Sequence, residues 1–176
     1  MFLGQLTMRK RVDVLMRAFA QLQAPNARLV VAGNDMGAGG GLHTLARSLG
    51  IERHTIFAGL LRGDERLHAL ADADVVVYPS EHEIFGLVPL EAPLSGTPVI
   101  VSDDSGCGEV VRSTGGGQVI AAGDPNALTD ALRRALASQR SGRAMAADAA
   151  VRARALYGDD IVCAQLEQLY SDMVNA

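Results

Sequence analysis

The chain is poor in several things, and each shortage excludes something. It has two cysteines, Cys107 and Cys163, in 176 residues. Two distant thiols make neither a disulfide framework nor a metal-ligand set, and they fit a reducing, cytosolic setting. No apolar run approaches the ~20 residues that span a bilayer. No charged start precedes an apolar core at the N-terminus, so no signal peptide is expected. There is no surplus of positive charge: the net charge is −4, with acids and bases interspersed. That argues against nucleic acid as a partner, which calls for clustered cations on one face. Internal repeats, heptads and low-complexity segments are absent. Lysine is nearly absent too, with Lys10 alone against fifteen arginines.

What is present is a globular composition, 48% apolar, in a length that suits one domain. Short apolar runs alternate with segments of helical periodicity. Met1–Leu3 ends a strand, and Val12, Leu15, Met16, Phe19 and Leu22 then recur at helical spacing. Strands follow at 27–32, 55–58, 75–78, 99–101 and 118–120. Helices fill the intervals near 42–49, 64–71, 86–94 and 108–112. Asp124-Pro125 opens another helix, with the acid as N-cap and proline at the first position. Two more cover about 142–157 and 160–174. Continuous apolar strands alternating with helices predict an α/β domain over residues 1–176, C-terminal helices from about 142 included. Its expected core is a Rossmann-like, doubly wound, six-stranded parallel sheet with helices on both faces. Such sheets bind ligands beyond the carboxyl ends of their strands, at the switch in strand order. The loops at 4–11, 33–41, 59–63, 80–86 and 102–108 are therefore the candidate ligand loops.

One of these loops carries chemistry. In Pro79-Ser-Glu-His-Glu-Ile-Phe-Gly-Leu-Val-Pro-Leu-Glu91, two glutamates, Glu83 and Glu91, are separated by seven residues. Phe85-Gly86-Leu87 is expected to open the next helix, whose free N–H groups attract anions. Gly86 leaves a phosphate free to approach the backbone. Glu91 suits a ribose diol and Glu83 the hydroxyls of a sugar, because a carboxylate only accepts and bonds strongly. Lys10 offers a compact ammonium to a phosphate.

These residues resemble the E-x(7)-E signature of the retaining, group 1 family of GT-B glycosyltransferases. The likeness extends along the chain. Gly4-Gln-Leu-Thr-Met-Arg-Lys10-Arg-Val-Asp13 is similar to the family's first loop. Val30-Val-Ala-Gly33-Asn, Ile56-Phe-Ala-Gly59, Ala71-Asp-Ala-Asp74-Val with Tyr78-Pro-Ser80, and Gly96-Thr-Pro98-Val-Ile resemble later segments in order. The resemblance implies the C-terminal, donor-binding half of a GT-B enzyme. It implies a UDP-, GDP- or ADP-linked sugar as substrate, with no cofactor and no metal in the donor site. It also implies an N-terminal acceptor-binding domain, absent from this chain, as partner. Glu91 would hold the ribose. Glu83 and the backbone of Ile84, Phe85, Gly86 and Leu87 would hold the sugar and distal phosphate. Lys10 would neutralise the departing diphosphate, with Gly4, Gln5 and Gly33 lining the cleft and Gly59 and Leu60 facing the base. Lys10 and Glu83 would act on the reacting centre.

Two departures bear on activity. The family usually has arginine where this chain has Gln5, which brings hydrogen bonds without charge. The acceptor half is missing, so the isolated chain is expected to be inactive, and the cleft face it leaves exposed is a candidate for self-association. The expected location is cytoplasmic, membrane-peripheral in an intact enzyme. Other readings are a stand-alone nucleotide-sugar module or pseudo-enzyme, and half of a related epimerase. Several features read as structural. Asp72-Ala-Asp74 reads as a turn and Cys107 as small-residue packing at a turn. His43, His54, His68 and His82 lack metal spacing, though His82 lies in the donor loop. The glycines at 37, 39, 40 and 41 lack the order of a P-loop.

Overall fold

The computed structural model describes residues 1–104 and 106–174. Ser105, within the expected ligand loop at 102–108, lies outside the described residues. Six parallel strands alternate with helices: β1 (Phe2–Leu3), α1 (Val12–Leu22), β2 (Leu29–Ala32), α2 (Gly39–Ser48), β3 (Thr55–Gly59), α3 (Gly63–Asp72), β4 (Val76–Tyr78), α4 (Val88–Leu94), β5 (Val99–Asp103), α5 (Gly106–Thr114), β6 (Gly117–Ala121), α6 (Pro125–Ala137), α7 (Gln139–Tyr157) and α8 (Asp159–Val174). The α/β alternation expected from the sequence is present.

The expected six-stranded sheet is instead two three-stranded parallel sheets, ordered β1-β2-β3 and β4-β5-β6. The reason is the length of β1. Phe2 and Leu3 pair with Val31 and Ala32 of β2. Toward β4 only Met1 remains: its amino group donates to the Val75 carbonyl at 2.8 Å, and its carbonyl accepts from the Val77 N–H at 2.8 Å. One residue joins the two sheets edge to edge, with no ladder between them.

Order nonetheless reverses at this junction. Strands run outward from β1 to β3 on one side and from β4 to β6 on the other. Right-handed crossovers then place the two sets of helices on opposite faces. The contacts agree: α1 lies against α2 and α6, while α4 lies against α5 and α7. The core follows the strands. Phe2, Leu15, Met16, Val31, Leu70, Val76, Val77, Val99, Ile100, Val101 and Leu128 are almost fully buried.

Local signals account for several boundaries. The Asp124 carboxylate accepts from the N–H groups of Asn126 (2.8 Å) and Ala127 (3.1 Å), capping α6 as its sequence demands. The buried Thr97 hydroxyl donates to the Leu70 carbonyl at 2.7 Å, tying the turn before β5 to the end of α3. Four alanines of α7 (146, 149, 150 and 153) are buried, and α7 packs on α4 at close range. Asp72-Ala-Asp74 spans the end of α3 and the turn into β4, with both acids exposed.

Candidate functional site

The carboxyl ends of β1 and β4 lie side by side at the junction, and the loops beyond them converge. Beyond β1, residues 8–10 form a single 3-10 turn, closed by Arg11 in the left-handed conformation (φ 47°). That turn separates three consecutive cations. Arg9 is exposed and donates to the His82 carbonyl at 3.0 Å. Arg11 pairs with Asp13 at 3.3 Å and with Glu81. Lys10 alone points inward and is 7% exposed. Its ammonium donates to the Tyr78 hydroxyl and to Glu83 Oε2, and sits 4.6 Å from the centre of the Tyr78 ring. Burial pulls its pKa down, but the bonds it donates to Glu83 and Tyr78 more than offset this and hold it above the ordinary lysine value. Tyr78 also donates to Glu83 Oε2 at 3.3 Å and lies parallel to Phe2, centroids 6.2 Å apart. The ammonium thus belongs to a small, charge-assisted cluster.

The loop beyond β4 is pinned at several points. The Glu81 N–H donates to the Arg9 carbonyl at 2.9 Å, and the His82 N–H to Asp104. His82 takes a left-handed φ of 53° with its ring exposed. The Cys107 thiol donates to the Phe85 carbonyl at 3.0 Å. The expected helix start at 86 is two residues early, because Gly86 has φ 72° and α4 begins at Val88. Gly86 is also hemmed in. A β-carbon there would sit 2.8 Å from Cys107 Sγ, 3.2 Å from the Tyr78 ring and 3.3 Å from the Glu83 side chain. Ile84 and Leu87 face solvent, 89% and 65% exposed.

Glu91 lies in the first turn of α4, partly buried, and pairs with Arg66 at the start of α3. Across the cleft, the glycines of the first sheet meet backbone to backbone. The Gly33 N–H donates to the Gly59 carbonyl at 2.7 Å, and the Gly4 N–H to the Ala32 carbonyl at 3.0 Å. A β-carbon at Gly33 would fall 1.7 Å from the Gly4 carbonyl oxygen. Beyond these glycines lies a hollow of about 290 Å³ lined by Leu6, Asn34, Asp35, His43, Phe57 and Leu60, among others. The His43 and Phe57 rings are in contact there, with centroids 3.9 Å apart. N–H groups of Gly39 and Gly37 hold the Asp35 carboxyl below its usual range.

The structure therefore brings Lys10 and Glu83 into contact, packs Gly86 against Glu83 and Gly33 against Gly4 and Gly59, and pairs Glu91 with Arg66. Leu60 lines the adjoining hollow, and Gln5 is exposed. Sequence reasoning missed Tyr78 as a partner of Lys10, Arg66 as the partner of Glu91, and His43 with Phe57. Only Tyr78 had a local signal, its place just before Pro79-Ser80. Among the described residues, no group of three or more His, Cys, Asp or Glu converges to hold a metal ion. No helix among them is long and apolar enough to cross a membrane.

Comparison with known proteins gives this geometry a context. Residues 1–152 match the family model for glycosyl transferases, group 1. An uncharacterized glycosyltransferase of Methanocaldococcus jannaschii is 37% identical over 138 residues, covering 77% of this chain and 35% of that protein. The D-inositol 3-phosphate glycosyltransferase of Corynebacterium aurimucosum is 34% identical over 181 residues, covering 99% and 43%. The Anabaena protein Alr3699/HepE, crystallised with UDP, superposes with a TM-score of 0.87 at 24% identity, covering 97% of this chain and 48% of that one. At that identity the likeness speaks for the fold. The chain spans less than half the length of each of these proteins.

Proposed function

The chain belongs to the group 1 glycosyl transferases, and from that premise we propose that its cleft binds a nucleotide-diphosphate sugar for retaining glycosyl transfer. The observation that carries this reading is the burial of the chain's one lysine where the two sheets part, bonded to a carboxylate of the opposing loop. A cation in that position attracts a diphosphate, and in a site of low dielectric it is worth far more than in water.

In the structure, Glu83 pairs with Lys10. A bound diphosphate competes for the same ammonium and releases the Glu83 carboxylate to accept from sugar hydroxyls. The backbone from Ile84 to Leu87 lies beside it. Glu91 takes the ribose, and the glycine walls at Gly4 and Gly33 let the phosphates approach closely. The hollow past Gly59 and Leu60 takes the base. As the glycosidic bond breaks, negative charge grows on the leaving diphosphate, and Lys10 is already positioned to stabilise it. Retention and the E-x(7)-E roles rest on the family resemblance together with this arrangement.

The rim of the cleft supports a partner domain. Met8, Met36, Leu60, Ile84 and Leu87, on or beside the candidate ligand loops, expose apolar side chains. Patches of that kind mark interfaces. We assign this face to an N-terminal acceptor-binding domain, without which the isolated chain transfers no sugar; the same patch favours self-association when left bare. Exposed, uncharged Gln5 favours a second reading, a module that binds a nucleotide sugar without turnover.

Thermal unfolding with UDP, GDP and ADP, beside Glu91→Ala, tests the proposal. UDP comes first because the Anabaena structure holds it. A ligand at tenfold its Kd adds ~1.4 kcal/mol, which raises the melting temperature by roughly 3–6 °C. A rise with one nucleotide that vanishes in Glu91→Ala supports a donor site. No rise at millimolar concentrations with any of them sinks it. Turnover by the isolated chain would overturn the claim of inactivity while leaving the site intact.

A further inference from the structure

We propose that Arg66 is a positioning residue for Glu91, setting the angle at which that carboxylate meets the ribose; this rests on the donor-site reading above. The geometry starts from chain order. Arg66 lies in α3 (Gly63–Asp72), only a few residues after the Gly59–Leu60 edge of the base hollow. Glu91 lies on α4, and the two helices are in contact. The pair ties the helix that follows the Gly59–Leu60 edge to the helix that carries Glu91.

The contact is one-sided. Arg66 Nη1 donates to Glu91 Oε2, and among the described residues no hydrogen bond reaches Oε1. A carboxylate carries two oxygens and about four acceptor positions. Holding one oxygen restricts the side chain and leaves the other oxygen free to accept from vicinal hydroxyls. Without the guanidinium, the Glu91 side chain regains rotamer freedom that ligand binding must then remove. Partial burial keeps the pair from being a freely solvated surface contact: Glu91 is 21% and Arg66 36% exposed. Arg9 and Arg11 are committed elsewhere, to the His82 carbonyl and to Asp13 and Glu81. Arg66 is the arginine that pairs with Glu91 among the described residues.

The readout is discrimination between a ribonucleotide and its 2′-deoxy counterpart. Calorimetric titrations use whichever of UDP, GDP and ADP binds the full chain, together with the matching 2′-deoxynucleoside diphosphate. A hydroxyl bonded to a charged acceptor gives a wild-type preference of about tenfold or more for the ribonucleotide. Glu91→Gln brings that preference down to about twofold, because a neutral amide accepts more weakly. Arg66→Ala keeps Glu91 charged but lets it wander, and cuts the preference to about a third of its wild-type value. Arg66→Lys restores at least half of the loss, because one ammonium N–H can make the one-sided contact. This rescue separates positioning from misfolding.

An unchanged preference in Arg66→Ala, with only the melting temperature lowered, makes the pair purely structural and overturns the inference. Tighter binding of both nucleotides by Arg66→Ala makes Arg66 a competitor of the ligand and overturns it too. If Glu91→Gln leaves the preference intact, or if no nucleotide binds the wild type, the ribose role of Glu91 falls first. The inference about Arg66 falls with it, whatever the Arg66 variants do.

Discussion

The two walls of the cleft are built on opposite plans. The wall from the first sheet is backbone: Gly4, Gly33 and Gly59 bring main chains together with no side chain between them. The wall from the second sheet is side chain: Tyr78, Glu83 and Glu91 project polar groups, and Lys10 crosses from the first wall to meet them. One wall sets shape and the other sets charge. They should therefore fail differently. An added methyl group at Gly33 breaks the first, and a removed charge at Lys10 breaks the second.

The largest expected effect is on the first wall. Gly33 has φ 149°, and its β-carbon would lie 1.7 Å from the Gly4 carbonyl oxygen, which is backbone and has no rotamer to escape into. Gly33→Ala should cost about 3 kcal/mol or more in urea unfolding, because the loops themselves must shift. Destabilisation of less than ~1 kcal/mol would mean that the glycine contact does not set the cleft's shape.

Next comes the second wall. Lys10→Met leaves the Glu83 carboxylate partly buried without its cation. The penalty should be about 2 kcal/mol, below that of a fully buried pair because Glu83 keeps some contact with water. Arg11→Met, one residue on, removes more exposed pairs and should cost less than ~1 kcal/mol. The two variants differ more sharply in nucleotide diphosphate binding, which Lys10→Met abolishes and Arg11→Met leaves. The Lys10 contribution also carries a pH signature. A lysine held above its ordinary value stabilises fully below the unfolded pKa of 10.5 and loses that contribution as pH rises through its folded value. The gap between wild type and Lys10→Met should hold from neutral pH to about 10.5 and narrow above it. Equal losses from the Lys10 and Arg11 variants would erase the distinction between the inward cation and its neighbours.

A smaller effect returns to the first wall as a control. Gly59 also has positive φ, 70°, but nothing lies within 4 Å of its would-be β-carbon. Gly59→Ala should cost only the left-handed backbone penalty of about 1–2 kcal/mol. If it matches Gly33→Ala, conformation rather than close approach is what the glycines supply.

The same division explains what the sequence disclosed. Strands and helices were legible because their signals are local: apolar runs for β2 and β5, helical spacing in α1, Asp124-Pro125 for α6. The loop carrying Glu83 was legible because its residues are consecutive and it resembles a known motif. Three features were not. The sheet divides in two because only Met1 bridges β1 to β4, and hydrogen bonding across a junction leaves no mark in either segment. The start of α4 lies at 88 rather than the expected 86 because Gly86, with φ 72°, stands outside the helix. Arg66 and Tyr78 each owe their role to a partner distant in sequence, 25 residues away for Arg66 and 68 for Tyr78. Side-chain charge is visible in a sequence, but its partner is not.

Cys107 offers the finest test, because it sits under the second wall and bears no charge at neutral pH. Its thiol is buried, donates to the Phe85 carbonyl, and lies where a side chain at Gly86 would go. Burial pushes its pKa up from 9.0 to about 11, with the Glu83 carboxylate adding to the rise and Lys10 opposing it. A thiol whose folded pKa is raised stabilises fully below the unfolded value and loses that contribution as pH climbs to the folded one. Stability of the wild type should therefore decline between pH 9 and about 11. Cys107→Ser keeps a donor for Phe85 but does not titrate in that range, so its decline should be shallower. The contrast is best read as the difference between the two urea-unfolding curves, pH by pH, since other groups titrate in both proteins alike. Parallel curves across that window would mean that water reaches the thiol in the folded state. The wall that sets charge would then be looser beneath Gly86 than the wall that sets shape.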